Sequence, residues 1–173
     1  MNKQRQTSNG MKIYFASDHA GYELKAALMK DVEIRGHEAH DCGALQYDKD
    51  DDYPAFVAKA ARLLSQDVAN GLDSRAVVIG ASGQGEAMVA NRFKGVRCAL
   101  YYGSPGKKQT DMSGEELDIL SSTRAHNDAN CLSLGARFLT GEESASAVAA
   151  WLSAPFSGLE RHARRIKQID EVA

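Results

Sequence analysis

Short apolar runs alternate with longer amphipathic segments along most of this chain. Runs typical of buried strands lie at residues 11–16, 37–42, 76–79, 96–102 and 131–134. Helical segments are predicted at residues 21–35, 53–65, 115–123, 141–153 and 158–169, and a further one follows the glycine-rich turn after residue 79. This alternation predicts a doubly wound, Rossmann-like α/β fold, with a five-stranded parallel sheet and helices on both faces in three α/β/α layers.

The first ten residues differ from the rest of the chain. Residues 1–10 are mostly polar and end in Gly10, just before the first apolar run, so we expect a disordered tail outside the fold. The remaining residues, 11–173, are of a length that fits a single domain with one core. No internal repeat interrupts them.

Composition excludes several classes of function. The chain of 173 residues has a formal charge of −2 and dispersed basic residues, so no nucleic-acid partner is expected. No apolar run approaches the roughly 18 residues of a membrane span, and the N-terminus lacks a signal-peptide core. We therefore expect a cytoplasmic protein without a membrane partner. The three cysteines, Cys42, Cys98 and Cys131, are far apart and predict buried free thiols.

The glycine-rich turn after residues 76–79 is the strongest candidate site. Ligands of open α/β sheets bind at the carboxyl ends of the strands, where this turn lies. Gly80 and Gly85 have the spacing of a phosphate-binding loop, but Glu86 stands where that loop needs lysine. The dinucleotide-binding pattern fails as well, because Met88 occupies the position of its third small residue.

The residues of the turn suit a different chemistry. Backbone N–H groups from Ser82 to Gly85 could hold an oxyanion beside the carboxylate of Glu86, an arrangement that suits proton abstraction next to a carbonyl. An ordinary strand-to-helix turn, with Glu86 as a favourable first-turn charge, explains the same residues. The turn alone does not separate these interpretations. Neither a zinc-binding H-E-x-x-H nor a paired C-x-x-C pattern occurs in the chain, so no metal is expected.

Six motifs give the chain a resemblance to a known family. Residues 80–92 read GASGQGEAMVANR, and the runs SDHAG, DYP, RAHNDAN, LGAR and RHARR begin at residues 17, 52, 124, 134 and 161. In this order they resemble the ribose-5-phosphate isomerase B family, which also includes galactose-6-phosphate isomerase subunits. The resemblance covers roughly residues 11–170 and implies an aldose–ketose isomerase of sugar phosphates that needs neither metal nor cofactor.

The resemblance also implies roles for particular residues. Glu86 would be the base that forms an enediolate, and His126 with Asp18 would open the sugar ring. The implied substrate-binding residues are His19, Tyr53, Ala81, Ser82, Gly83, Gln84, Gly85, Asn127, Arg137, Arg161 and Arg165. Without the resemblance, Asp18 and Asp52 are typical helix caps, His126 lies in a loop, and Arg161 and Arg165 form a solvent-facing stripe. Arg161 and Arg165 are nevertheless one helical turn apart, so both could reach one phosphate.

The resulting hypothesis is interconversion of ribose 5-phosphate and ribulose 5-phosphate. A six-carbon substrate (allose or galactose 6-phosphate) and a non-catalytic sugar-phosphate-binding relative remain alternatives. The resemblance further implies a homodimer or tetramer in which Arg137 completes the phosphate site of the neighbouring subunit. This chain departs from many relatives at Gly80, where they carry a cysteine base, and residues 103–123 are longer and less typical.

Overall fold

The chain alternates strands and helices as its hydrophobic pattern predicts. A computed structural model describes residues 10–172. Its strands are Lys12–Ser17 (β1), Glu38–Asp41 (β2), Arg75–Gly80 (β3), Cys98–Tyr101 (β4), Gln109–Thr110 (β5), Glu116–Leu117 (β6) and Cys131–Gly135 (β7). Its α-helices are Tyr22–Ile34 (α1), Tyr53–Ala69 (α2), Gln84–Ala90 (α3), Ile119–Asn127 (α4), Gly141–Ser153 (α5) and Glu160–Glu171 (α6), and a single 3₁₀ turn spans His19–Gly21. The tail predicted at residues 1–10 falls almost entirely outside the described residues.

Five of the strands form one parallel sheet in the order β2-β1-β3-β7-β4, which confirms the predicted fold class. The chain runs from β1 outward to β2 and then returns to the other side of β1 with β3. The order therefore reverses between β1 and β3, and such a reversal opens a crevice at the carboxyl ends of the two strands. Ser17 and Ile79 are paired at that end, so the residues that follow them lie side by side.

Two apolar clusters cover the two faces of the sheet. Ile13 and Phe15 of β1 face a cluster that includes Leu28 of α1 and Trp151 of α5, all buried. Their neighbours Tyr14 and Ala16 point to the opposite face, where a second cluster includes residues of α2 and α3. Successive residues of a strand face opposite sides, so strands covered by helices on both faces are apolar throughout. Both clusters hold the central strands rigidly under the crevice.

The predicted helix at residues 115–123 is misplaced. Residues 116–117 pair with residues 109–110 as a short antiparallel hairpin, β5–β6, and α4 begins only at Ile119. Asp118 sets this start, since its side chain accepts hydrogen bonds from the backbone N–H and the hydroxyl of Ser121, each at 2.8 Å. The helix then continues to Asn127, so His126 lies in its last turn and not in the predicted loop.

The expectations about the cysteines and about membrane spans can also be compared with the structure. All three cysteines are free thiols; Cys42 and Cys131 are buried, whereas Cys98 on the edge strand β4 is only half-buried. Within residues 10–172, no helix is both long and apolar enough to cross a membrane.

The cap at Asp118 gives a test of how α4 is held. We expect Asp118→Ala to lower the free energy of unfolding by about 1 kcal/mol, because the first turn of α4 loses its side-chain acceptor. Asp118→Asn should cost much less, since asparagine caps helices nearly as well. Urea denaturation of the two variants measures the difference. Equal unfolding midpoints for Asp118→Ala and the unmodified chain would contradict the assigned cap.

Candidate active site

The crevice between β1 and β3 brings together the first predicted site residues. Asp18 follows β1 and caps the 3₁₀ turn by accepting a hydrogen bond from the Ala20 N–H at 3.0 Å. The glycine-rich turn follows β3 on the neighbouring strand. The Asp18 charge is close enough to Glu86 to raise the pKa of that carboxyl, although it is not the largest cause. Asp18 and Glu86 therefore belong to one site.

The turn itself is held by backbone contacts to β7. Gly83 has a left-handed backbone (φ 73°) directly before α3, which glycine adopts without strain, and its carbonyl accepts from the Ser133 hydroxyl at 2.6 Å. The carbonyls of Gly80 and Ala81 accept from the N–H groups of residues 136 and 137. The first N–H groups of a helix have no acceptor inside it, so the start of α3 can serve an anion.

Glu86 occupies the space that a side chain at residue 80 would need. Its side chain lies almost entirely out of solvent, and the residue is 4% exposed. A β-carbon on Gly80 would overlap the Glu86 carboxylate. Burial raises the pKa of Glu86, and this effect exceeds the opposing influence of its own backbone N–H at the start of α3. The base suggested by the sequence thus occupies the volume next to the missing side chain of Gly80.

Tyr53 closes the turn from the side of α2. It is the first residue of that helix, and a β-carbon on Gly85 would overlap its hydroxyl group. Gly85 must therefore lack a side chain if the tyrosine is to approach. This contact puts the Tyr53 hydroxyl next to the start of α3, beside Glu86, as the predicted role requires.

His19 is held by a carboxylate that the sequence interpretation did not include. A single oxygen of Asp51, Oδ1, lies 3.0 Å from the backbone nitrogen of His19 and 2.8 Å from its ring Nδ1. The hydrogen bond to Asp51 is the main reason why the pKa of His19 is raised, while the nearby charge of Arg137 works weakly against it. A protonated His19 beside Arg137 suits an anionic ligand.

The same region has the spacing of a metal site, although the pKa of His19 is raised there. Asp18, His19 and Asp51 have ligand atoms within 4.8 Å of one another. A metal ion needs the neutral imidazole, whereas the contact with Asp51 raises the pKa of His19 and favours the protonated ring. The cluster is therefore better suited to holding an anion at His19 than a cation.

The backbone of Arg137 lies along the glycine turn of its own chain, and its role at a neighbouring subunit stays a prediction. Its backbone N–H donates to the Ala81 carbonyl at 3.0 Å, and its charge reaches His19 of the same chain. The reason is the register of the sheet: Gly135 pairs with Gly80, so the residues after β7 run along the turn after β3.

The remaining predicted residues form a second cluster. His126 at the end of α4 lines a small cavity together with Arg161 and Arg165 of α6. The two arginines lie one turn apart on α6 and border the same cavity, as their spacing predicts. Asn127 points elsewhere: it borders a separate cavity of about 540 Å³ beside β4.

The two clusters lie at opposite ends of the sheet. His126 stands five residues before β7, at its amino end, while Glu86 follows the carboxyl end of β3, which is parallel to β7. The five residues of β7 extend roughly 15 Å at about 3.3 Å per residue. His126, Arg161 and Arg165 therefore cannot meet Glu86 of the same chain in one small-molecule site.

The interpretation of the sequence did not include three residues of these clusters: Asp51, Asp111 and His162. Asp111 contacts His126 and Arg161, and His162 stacks on His126 with ring centres 4.4 Å apart. Asp51 stands beside the DYP motif and His162 within RHARR, so proximity to a motif could have indicated them. Nothing around Asp111 in the sequence indicates its contact with α4 and α6.

Comparison with known proteins gives consistent results. A family described as Ribose/Galactose Isomerase matches residues 13–169. Ribose-5-phosphate isomerase B of Mycobacterium tuberculosis (strain CDC 1551 / Oshkosh) is 39% identical over 163 residues, which are 94% of this chain and 90% of that protein. A crystal structure of ribose-5-phosphate isomerase B from Mycoplasma genitalium with bound ribulose-5-phosphate is 30% identical, covers 94% of this chain and 95% of its own, and has a TM-score of 0.79. A ribose 5-phosphate isomerase from Thermotoga maritima is 33% identical, with a TM-score of 0.76 and coverage of 93% and 98%.

The contact between Asp51 and His19 can be tested by titration. Asp51→Asn weakens the hydrogen bond that is the largest cause of the raised pKa of His19, so this pKa should fall. An NMR titration of the imidazole C–H signals measures this shift. Asp50→Asn is the matched control, because Asp50 is exposed and its carboxylate forms an ion pair with Lys49 at 3.8 Å. A His19 pKa that is the same in both variants would exclude the assigned contact.

Proposed function

Because this chain belongs to the ribose/galactose isomerase family, we propose that it interconverts ribose 5-phosphate and ribulose 5-phosphate through an enediolate, with Glu86 as the base. The observation that carries the proposal is the buried Glu86 carboxylate in the space of the missing side chain at Gly80. The bound ribulose-5-phosphate of the Mycoplasma genitalium relative supports this choice of substrate. The reaction moves only protons, so we expect no cofactor.

The reaction begins with opening of the ribose ring. Ribose 5-phosphate is closed through its C4 hydroxyl onto C1, and opening requires a proton to leave the C1 hydroxyl and another to reach the ring oxygen. We assign the first transfer to Asp18 and the second to His126, whose imidazole ordinarily titrates near neutral pH. The product of this step is the open-chain aldehyde.

Glu86 then moves a proton between neighbouring carbons. It takes the proton from C2, and the negative charge spreads onto the oxygens of the enediolate, where N–H groups at the start of α3 stabilise it. Returning the proton to C1 gives the ketose. The raised pKa of Glu86 favours this role, since a base that must also give the proton back works best with a pKa nearer the working pH.

The phosphate needs positive charge at the far end of the sugar. His19 and Arg137 provide it on the side of the glycine turn, and Arg161 and Arg165 provide two further guanidinium groups in the second cluster. Planar guanidinium groups bind phosphate oxygens in pairs. A complete site therefore needs both clusters around one substrate.

The separation of the clusters supports a homodimer as the active unit. In one chain they lie at opposite ends of β7, so a second copy must bring its His126, Arg161 and Arg165 to the Glu86 turn. This assignment differs from the one implied by the resemblance, because Arg137 remains with its own turn. A two-fold arrangement would form two such sites. A tetramer of two such dimers would contain the same sites.

Exposed apolar side chains surround the Glu86 turn. A second copy of the chain could bury them at a subunit interface. Met88 on α3, Tyr102 after β4 and Phe138 after β7 are 66%, 52% and 63% exposed. Tyr102 and Phe138 stack with ring centres 5.8 Å apart. Large apolar groups clustered at a protein surface are typical of a contact face.

A direct assay separates the proposed substrate from the six-carbon alternatives. Initial rates should be compared for ribose 5-phosphate, allose 6-phosphate and galactose 6-phosphate. We expect the highest kcat/KM for ribose 5-phosphate. A clear preference for either six-carbon sugar would replace the substrate, and binding of all three without turnover would favour the non-catalytic alternative.

Substitution of the base tests the chemistry. Glu86→Gln keeps the shape of the side chain but cannot accept the C2 proton, so kcat should fall on the order of 10²–10⁴-fold. Binding of inorganic phosphate should change little, because the cationic groups remain. Turnover is measured with ribose 5-phosphate and phosphate affinity by calorimetry. A variant with unchanged kcat would show that another residue is the base.

The shared site is tested by mixing two inactive proteins, Glu86→Gln and His126→Ala, under conditions of subunit exchange. In a mixed dimer one site carries both defects and the other carries none. Random mixing makes half of the dimers mixed, so up to about a quarter of the sites should be intact. Sites built within one chain would each keep one defect, and the mixture would stay inactive.

The matched control for this mixing experiment pairs Glu86→Gln with Arg137→Ala. Both residues belong to the same side of the site, so every site in the mixed dimer keeps one defect. This mixture should recover no activity. Recovery here, without recovery in the first mixture, would return Arg137 to the neighbouring subunit.

A further inference from the structure

The β5–β6 hairpin brings an unassigned carboxylate into the second cluster. The hairpin turns at residues 111–115, where the Asp111 N–H donates to the Glu115 carbonyl at 2.9 Å. The Asp111 side chain points back toward α4 and α6 and is only 6% exposed. It borders the cavity that His126, Arg161 and Arg165 also line. The hairpin lies in the segment whose length departs from the family pattern.

The hairpin holds Asp111 as an anion in one orientation. Its oxygen Oδ1 accepts from the Ser113 hydroxyl at 2.5 Å, the Ser113 N–H at 2.7 Å and the Glu115 N–H at 3.1 Å. The Ser113 hydroxyl is the largest cause that lowers the pKa of Asp111 to about 2. The carboxyl group is therefore ionised throughout the neutral range, and three donors leave Oδ1 fully occupied.

The other oxygen of Asp111 faces two predicted site residues. Oδ2 lies 3.4 Å from His126 Nε2 and 3.4 Å from the Arg161 guanidinium. The Nε2 atom of His126 is buried and makes no hydrogen bond among the described residues, so the 3.4 Å approach of Asp111 is an ion-pair distance and not yet a hydrogen bond. A buried N–H without an acceptor is costly, and the Asp111 carboxylate is an acceptor within reach of this ring nitrogen.

The protonation of the neighbouring histidine is consistent with this arrangement. Arg161 Nε can only donate, so His162 Nε2 accepts from it at 3.2 Å and His162 Nδ1 carries the proton toward Ser157 at 2.7 Å. Burial lowers the pKa of His162, which keeps this ring neutral. The ionised groups around His126 are then Asp111, Arg161 and Arg165, and Asp111 is the only anion that these contacts include.

We propose that Asp111 is a positioning residue for ring opening: its Oδ2 accepts the Nε2–H of His126 and orients the imidazole. Nδ1, which the Ser122 hydroxyl approaches at 3.4 Å, is then the nitrogen that serves the substrate. Arg161 compensates the charge of Asp111 on its other side. The inference rests on the proposed function, because it assigns a partner to the acid of that reaction. Asp111 does not touch the sugar in this role. A carboxylate behind a working imidazole fixes both its orientation and its tautomer.

The chemistry of the two sugars allows a test that separates positioning from simple structural support. Ribulose 5-phosphate has its C5 oxygen blocked by phosphate, so it stays open-chain and needs no ring opening. Glu86 can remove one of its C1 hydrogens and return a deuteron from heavy water. This exchange, followed by NMR, depends on Glu86 and not on His126. Turnover of ribose 5-phosphate depends on both.

The decisive variant is Asp111→Asn. Its amide keeps an acceptor for the hairpin N–H groups but loses the charge beside His126. Turnover of ribose 5-phosphate should fall at least about tenfold, a part of what general acid catalysis contributes. Exchange into ribulose 5-phosphate should stay close to that of the unmodified chain. Glu116→Gln is the matched control, because Glu116 lies on the same hairpin, is exposed and contacts Lys108 at 3.5 Å; it should change neither rate.

The other outcomes would overturn either the inference or the proposed function. Equal loss of turnover and exchange in Asp111→Asn would mean that the carboxylate only supports the hairpin, and the inference would be overturned. Unchanged turnover would overturn it as well. Glu86→Gln should lose both reactions. If the unmodified chain neither turns over ribose 5-phosphate nor exchanges the C1 hydrogen, the proposed function itself is wrong, and the inference falls with it.

Discussion

The Glu86 carboxylate occupies the space that a side chain at residue 80 would fill, and the geometry of the site depends on this constraint. A β-carbon at residue 80 would overlap the carboxylate, so glycine there is a condition for the buried position of Glu86. The left-handed backbone at Gly83 starts α3 at the right place, and Gly85 leaves room for Tyr53. Gly80 therefore makes room for the Glu86 carboxylate, and burial in that space raises its pKa.

The direction of the strands decides which residues can meet. Every strand of the five-stranded sheet is parallel to its neighbours, so the turns after β1, β3 and β7 all gather at one edge. A helix between two such strands runs the other way, and α4 accordingly carries His126 to the opposite edge. The division of the site into two clusters is thus a consequence of the fold. The homodimer that we propose is the simplest assembly that would bring the two clusters together.

The sequence predicted features that depend on nearby residues and missed those that depend on distant ones. Periodicity located all five sheet strands, and the four-residue spacing of Arg161 and Arg165 predicted a shared face, because both properties are local. The contact of residue 137 with the turn after β3 depends on the pairing of β3 with β7, some fifty residues apart. The contact of Asp111 with Arg161 crosses a separation of 50 residues and has no local pattern. The start of α4 was missed because the hairpin partner of residues 116–117 competes with helix formation there.

The carboxylates of the two clusters have different environments, and these differences match the roles that we propose for them. Asp111 accepts three hydrogen bonds on one oxygen, which lowers its pKa and suits a permanent anion that orients His126. Asp51 holds His19 and raises the pKa of the imidazole, so its charge sustains a cation for the phosphate. The Glu86 carboxylate is buried and accepts few hydrogen bonds, so its pKa is raised. A raised pKa suits a group that must both take and return a proton. In the proposed mechanism, the carboxylate with the raised pKa stands at the reacting carbons and the one with the lowered pKa stands behind His126, so proton transfer stays at Glu86 while Asp111 keeps its charge.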